Sequence, residues 1–127
     1  DTWTRLLRRA GQPKQRKGRV FTYGVAGAKN TKARVRAVFT TRGRVGLITS
    51  TAKGHRASGV AIGAKASKLK GKTISYGKNI RARKLGKGAM FLFGVKKGRV
   101  AWIGVTSTSV AKTPARARSY LKLAGLK

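Results

Sequence analysis

Lysine and arginine are almost the only side chains with which this chain of 127 residues could do chemistry. They number 32, against one acid, one histidine and no cysteine, and the formal net charge is +31. A glycosidase carboxylate pair needs two acids, a serine triad needs an acid beside its histidine, and a metal centre needs clustered ligands. Asp1 and His55 cannot supply these sets. The composition therefore predicts no enzyme, no cofactor and no metal site.

Two local features come close to known sites without matching them. Gly59 and Gly63 precede Lys70–Thr73 in a way that is similar to a phosphate-binding loop, but the spacing is too long and no acid is present to hold Mg²⁺. His55 lies in the loop Lys53–Arg56, where we expect a surface residue that could contact a phosphate or a base. Neither feature predicts catalysis.

The net charge points to an anionic polymer as partner. Repulsion among 31 excess positive charges opposes a compact state, and a single acid, Asp1, cannot offset it. Duplex DNA carries one charge per ~1.7 Å, so this charge would match roughly 50 Å, or about 15 base pairs. The cations are spread over every segment, which favours backbone phosphates over base edges. We predict a coat or compaction protein that binds nucleic acid without sequence specificity, with DNA favoured over RNA.

The predicted phosphate contacts are cations of the basic linker, of one strand face, of the hairpin tips and of a strand pair. They are Lys14, Arg16, Lys17, Arg34, Arg36, Arg42, Arg44, Arg81, Arg83, Lys96, Lys97 and Arg99. For the aromatic residues Phe91, Phe93 and Trp102, core packing is a better interpretation than base stacking, because they lie in apolar strands.

Other partners remain open at this point. A secreted structural protein that binds anionic cell-surface polymers would need the same charge, as would a ribosomal protein. The chain begins at Asp1 rather than Met, which favours processing by a signal peptidase and an extracellular location. The strand at 89–95 is apolar on both faces, so one face could pack against another copy, and a filament or sheath around the polymer is expected. No apolar run approaches the ~20 residues that span a bilayer.

Hydrophobic patterning predicts a folded module, because 40% of the residues are hydrophobic. In the strand at 33–40, Arg34 and Arg36 share one face and Val35, Ala37 and Phe39 share the other, which predicts a half-buried strand with a cationic outer face. A helix is predicted where Thr113 caps, Pro114 begins and Gly125 ends an apolar stripe. The predicted strands are 19–25, 33–40, 44–51, 79–85, 89–96 and 99–108, and the predicted helices are 2–10, 64–70 and 114–124.

Two parts of the chain echo each other. Gly18–Val25 is similar to Gly88–Val95, and Gly43–Val45 followed by Ile48–Thr51 is similar to Gly98–Val100 followed by Val105–Thr108. We predict a single α+β domain over 1–127, with an antiparallel sheet of two β-meander units in the order α-β-β-β-α-β-β-β-α. The duplicated units would be 1–52 and 59–110, with a closing helix at 114–124 and helices on one face.

The stretch Gly59–Lys70, a glycine-containing turn into a short helix before a three-stranded meander, resembles the tandem units of β-lactamase-inhibitor-protein-like folds. The Gly-Arg-Val hairpins and the basic C-terminal helix resemble uncharacterised basic secreted proteins of actinobacteria. The resemblance implies a sheet-and-helix binding scaffold and secretion, and it brings no catalytic residues. The acids usual in such scaffolds are missing, which argues against inhibition of a protein partner.

Overall fold

The computed structural model describes residues 15–24, 34–86 and 88–126. The strands in chain order are β1 (Gln15–Lys17), β2 (Val20–Gly24), β3 (Arg34–Phe39), β4 (Val45–Ser50), β5 (Arg56–Ala57), β6 (Val60–Ala61), β7 (Ile74–Ser75), β8 (Ile80–Lys84), β9 (Ala89–Lys96) and β10 (Arg99–Ser107). Eight of them form one antiparallel sheet in the order β1-β2-β3-β4-β10-β9-β8-β7, and β5 pairs with β6 separately. A 3₁₀ helix spans Ala66–Leu69, and the α-helix α1 spans Pro114–Leu123.

The centre of the sheet is the antiparallel pair of β4 and β10. It joins two four-stranded meanders, β1 to β4 and β7 to β10, so the last strand of each meander lies inside the sheet. Ile48 lies directly opposite Val105 in this pair. These two residues begin the matching Thr-Ser-Thr segments, so the similar segments meet about a local dyad. The similar stretches Gly18–Val25 and Gly88–Val95, by contrast, fall on β2 and β9, which do not occupy equivalent places in the sheet order.

One face of the sheet is covered by α1. Thr113 caps this helix, because its side chain accepts a hydrogen bond from the Arg116 amide at 3.2 Å, and Pro114 opens the first turn. Ala117 and Leu121 face the sheet and are buried against Val38, Leu47, Met90, Leu92 and Trp102. Within the described residues, no helix is long and apolar enough to cross a membrane.

The opposite face is covered at one end by the crossover segment, which we define as residues 51–73 between the two meanders. Ala57, Val60 and Ile62 of its small hairpin and Leu69 of the 3₁₀ helix are buried against Val35, Phe93, Val100 and Ile103 of the sheet. The Gly63 amide donates to the Val100 carbonyl at 2.8 Å, and the Ala66 amide donates to the Gly98 carbonyl at 2.8 Å. These bonds fix the segment at the end of the sheet where β9 turns into β10.

The predicted α+β class is wrong, because the fold is mainly β. In the described residues the structure has one α-helix, where the predicted order required three. The predicted continuous antiparallel sheet is present, and the predicted strands at 33–40, 44–51, 79–85, 89–96 and 99–108 correspond to β3, β4, β8, β9 and β10 within about a residue at each end. The predicted helix at 2–10 lies outside the described residues.

The predicted helix at 64–70 shrinks to the single 3₁₀ turn Ala66–Leu69. Gly63 and Gly71 bound it with φ of +97° and +81°, and Lys65 and Lys70 are extended, so too few residues remain to nucleate an α-helix. Short strands replace two predicted loops. β1 includes Arg16 and Lys17 of the predicted basic linker, and β5 begins at Arg56, the last residue of the predicted loop Lys53–Arg56.

Trp102 is buried and lies opposite Gly94 in the register of β9 and β10. A Cβ atom built on Gly94 would overlap the indole ring. Glycine is therefore required here by close approach of a side chain rather than by backbone conformation, since the φ of Gly94 is not in the left-handed region. The sequence signal for this contact is slight, because a glycine within an apolar strand marks a close approach or a bulge equally well.

We expect Gly94→Ala to lower the free energy of unfolding by about 1–3 kcal/mol, because overpacking forces the indole out of its place. Gly86→Ala is the matched control. Gly86 has open space around its Cβ position and no positive φ, so its change should stay within about 0.5 kcal/mol. Chemical denaturation followed by tryptophan fluorescence measures both, and equal stabilities would contradict the contact.

Candidate polyanion interface

The predicted phosphate-binding residues of the hairpin tips are divided between two ends of the sheet. Arg42 and Arg44 are exposed in the turn between β3 and β4. Lys96, Lys97 and Arg99 are exposed around the turn between β9 and β10, where Lys97 and Gly98 both have positive φ. Because β4 and β10 are antiparallel, these turns lie at opposite ends, separated by about the length of β10, or about 30 Å. The structure therefore has two cationic ends rather than a single patch.

Arg36 does not lie on an open cationic face, which corrects the prediction for β3. The alternation of this strand is as expected, but its arginine face is the one that α1 covers. The Arg36 guanidinium donates to the Ala124 carbonyl at 2.5 Å and to the Thr22 hydroxyl at 3.3 Å. A cation at the carboxyl end of a helix is favourable because the helix dipole is negative there. Arg36 is thus a structural cap, while Arg34 on the same face is exposed.

Arg81 and Arg83 lie on the other face of the sheet, on β8. Arg81 donates to the Thr73 hydroxyl at 3.0 Å and to the Thr73 carbonyl at 2.7 Å, so it fastens the crossover segment to β8. Arg83 is half-buried and lies opposite Phe91 in register. Arg16 and Lys17 belong to β1, the edge strand, and Lys14 lies outside the described residues.

A third group of cations was not predicted. Lys84, Lys112 and Arg116 line an open cleft of about 580 Å³ beside the amino end of α1, together with the hydroxyl residues Thr108 and Ser109. The first turn of α1 carries no acid, so positive side chains stand where the helix dipole is also positive. The Thr113-Pro114 start of the helix was visible in the sequence and places Lys112 and Arg116 at this end. What brings Lys84 to them is the sheet order, which the sequence did not give.

The three aromatic residues assigned to the core have different environments. Phe93 is fully buried and Trp102 is 5% exposed, as predicted. Phe91 is only half-buried, and its ring lies 6.3 Å from that of Phe93 in an edge-on arrangement. On one face of β9, Met90 and Leu92 pack against α1, and on the other face Phe93 is buried by the crossover segment, whereas Phe91 is not fully covered. Packing within the chain therefore explains most of the apolar pattern of β9 without contact with another copy.

His55 is not the surface residue that the loop suggested. It is half-buried, and its Nδ1 atom lies 2.6 Å from the hydroxyl oxygen of Ser50, which is fully buried. That oxygen also accepts the Ala52 amide at 3.2 Å, so the hydroxyl proton is available to a neutral imidazole. Desolvation by burial lowers the pKa of His55. The pair anchors the start of the crossover segment, and no acid lies in the described residues to complete a catalytic triad.

Among the described residues, no group of three or more His, Cys, Asp or Glu side chains could hold a metal ion. What the exposed lysines and arginines can do chemically is bind anions through charge and hydrogen bonds. The two cationic ends and the cleft beside α1 are therefore the candidate interface.

Comparison with known proteins supports the fold alone. No protein-family model and no curated protein matches the sequence. A solved structure of a cysteine-rich secretory protein from Staphylococcus aureus is similar, with a TM-score of 0.51 and 10% sequence identity. The match covers 84% of this chain and 42% of that one, so this chain corresponds to less than half of the other protein.

We expect the free energy of unfolding to fall as the pH is lowered from about 6.5, since the folded state favours neutral His55 and the unfolded state binds the proton more readily. The contribution of His55 to stability is complete above the pKa that His55 has in the unfolded state. It is lost as the pH falls toward the lower pKa of His55 in the folded state. Between pH 5 and 7 no other side chain of this sequence titrates at its ordinary pKa.

Denaturant titrations at constant ionic strength test this dependence, with His55→Gln as the control that removes the ionisable ring. The slope between pH 7 and pH 5 should be present in the native chain and absent in the variant. Equal slopes in both would show that His55 is not its source.

Proposed function

We propose that this protein binds nucleic acid, DNA in preference to RNA, by contacting backbone phosphates without reading the base sequence. The observation that carries the proposal is the presence of exposed lysines and arginines at both ends of the sheet and beside α1, in a chain with a net charge of +31 and with no Asp or Glu among the described residues. An external polyanion offsets the repulsion that the chain cannot offset itself.

The separation of the two cationic ends suits a duplex. About 30 Å of duplex axis carries roughly 18 phosphates at one per ~1.7 Å. A partner of this charge density could contact Arg42 and Arg44 at one end and Lys96 and Lys97 at the other. Because these side chains stand on turns, they meet a polymer as separate point charges rather than as a surface shaped to one groove.

The side-chain inventory favours phosphate contact over base readout. Asparagine and glutamine, which read adenine by paired hydrogen bonds, are absent from α1, whose exposed polar residues include Arg116, Arg118 and Lys122. A helix with this composition contacts phosphates whichever bases lie beneath them.

Anionic cell-surface polymers are the second candidate partner, because electrostatic attraction alone does not distinguish them from nucleic acid. The third candidate function is that of a ribosomal protein. Assembly of several copies along the polymer would follow if bound phosphates cancel the repulsion between neighbouring copies.

The salt dependence of duplex binding is the first test. We expect the logarithm of the association constant to fall linearly with the logarithm of salt concentration, with a slope of about −0.9 per phosphate contacted. The variants Lys96→Gln/Lys97→Asn and Arg42→Gln/Arg44→Gln should each reduce that slope by up to about 1.8. Fluorescence anisotropy with duplexes of two unrelated sequences measures it.

Arg42→Lys/Arg44→Lys is the matched control, since it keeps both charges but cannot make the paired contacts of arginine to guanine. Its salt slope and its affinities for the two duplexes should equal those of the native chain. A strong preference for one sequence, or an affinity that salt leaves unchanged, would contradict phosphate binding.

The protein isolated from its native source provides the second test. We expect an absorbance ratio at 260 and 280 nm typical of nucleic acid, which DNase abolishes and RNase does not. A ratio that only RNase abolishes would point to RNA. A protein-only spectrum, with bound acidic polysaccharide or teichoic acid detected by chemical analysis, would favour the second candidate instead.

A further inference from the structure

We infer that one part of the sheet face opposite α1 is a platform on which the bases of single-stranded nucleic acid stack. This part is the one that the crossover segment leaves uncovered. This inference rests on the proposed function and extends it, since it assigns single-stranded nucleic acid, as a further form of the polymer, to a particular surface. It concerns the half of the face that lies away from the turn between β9 and β10.

The platform is built by one row of residues that runs across the sheet. Successive strand pairs align these residues side by side, so their side chains point to the same face. The row consists of Arg83, Phe91, Val105, Ile48, Ala37 and Phe21. From Phe91 on β9 to Phe21 on β2 there are four strand spacings, or about 19 Å.

The crossover segment covers the neighbouring row but not all of this one. Phe93, Ile103 and Val35 beneath the segment are buried completely. Phe91 and Val105, in the next row toward the turn between β3 and β4, are only half-buried. The apolar surface continues to Phe39, which is half-buried, and to Val45 opposite it, which is 46% exposed. Burial therefore decreases from the first row to the second at Phe91 and Val105, whereas Ile48 and Ala37 of the second row stay buried, at 9% and 1% exposure. Among the described residues, the partly exposed aromatic rings of this face are those of Phe91, Phe39 and Phe21.

Charge decides what kind of occupant this apolar surface suits. Arg83 lies directly opposite Phe91 on the same face, and Arg44 adjoins Val45 at the turn. No acid lies anywhere in the described residues. Aromatic rings bordered by cations are how proteins bind single strands, since the bases stack on the rings while the phosphates meet the cations. A duplex keeps its bases stacked internally and cannot use the rings.

The experiment compares two single strands with the same phosphates. One probe is a 20-nucleotide oligothymidylate, and the other is an abasic strand of equal length that has no bases to stack. Binding of each is measured by anisotropy over a range of salt concentrations, beside a duplex of the same length. We expect the native chain to bind the oligothymidylate more tightly than the abasic strand, at least about fivefold.

Phe91→Leu keeps an apolar side chain and removes the ring, so it should lower the ratio of the two affinities toward one and leave duplex binding unchanged. Phe93→Leu is the matched control. It makes the same substitution two positions along β9 at a fully buried ring, so it should cost stability but keep the ratio. Arg83→Gln should reduce the salt slope for both single strands by about 0.7 and keep the ratio as well.

The outcomes separate this inference from the proposed function. If the native chain binds duplex but treats the two single strands alike, or if Phe91→Leu retains the ratio, the platform is wrong and phosphate binding stands. If Phe91→Leu instead dissociates a dimer in sedimentation velocity without nucleic acid, the face is an interface between copies. If none of the three probes binds at low salt, the proposed function fails as well.

Discussion

The absence of carboxylates is the constraint on which the rest of this structure depends. With 32 cationic side chains and one acid, the chain cannot stabilise its arginines by internal salt bridges. The half-buried Arg36 and Arg81 bond instead to the backbone oxygens of Ala124 and Thr73, and the exposed Arg99 bonds to that of Gly63. Arg19 lies over the ring of Tyr120, with its guanidinium carbon 5.8 Å from the centroid. Each hydrogen-bonded pairing engages one or two of the five N–H donors of the guanidinium but leaves its full charge in place, so folding arranges the charge without reducing it.

The same constraint explains where the exposed cations lie. The sheet is covered by α1 on one face and by the crossover segment on part of the other, and both layers bury apolar side chains. A lysine or arginine placed between these layers would be desolvated without a counter-ion, at a cost of several kcal/mol. Turns, strand ends and the outer face of α1 carry no such cost. The exposed cations therefore lie on turns, at strand ends, on the crossover segment and on the outer face of α1, where they remain hydrated.

Short-range patterns predicted most of the strands, because a period of two in β3 and an apolar run in β9 depend only on neighbouring residues. The start of α1 was predictable for the same reason, since Thr113 and Pro114 are local signals. The fold class was wrong because it depended on the segment at 64–70, whose lysines and alanines suit a helix. Gly63 and Gly71 limit this segment to one 3₁₀ turn, and hydrogen bonds to Gly98 and Val100, more than thirty residues away in sequence, fix its position.

The site was less predictable than the strands, because a cation's role depends on what lies beside it. Arg34 and Arg36 alternate with apolar residues on the same face of β3, and the packing of α1 makes Arg36 a helix cap while Arg34 stays exposed. Likewise Phe91 and Phe93 lie on the same face of β9, as the alternation of the strand predicts, yet the edge of the crossover segment falls between their rows. Local sequence states which face a side chain takes, but not how far the covering layer extends. At that boundary the fold leaves apolar and cationic groups side by side, as at Phe91 and Arg83, and no acid lies among the described residues to pair with the cation.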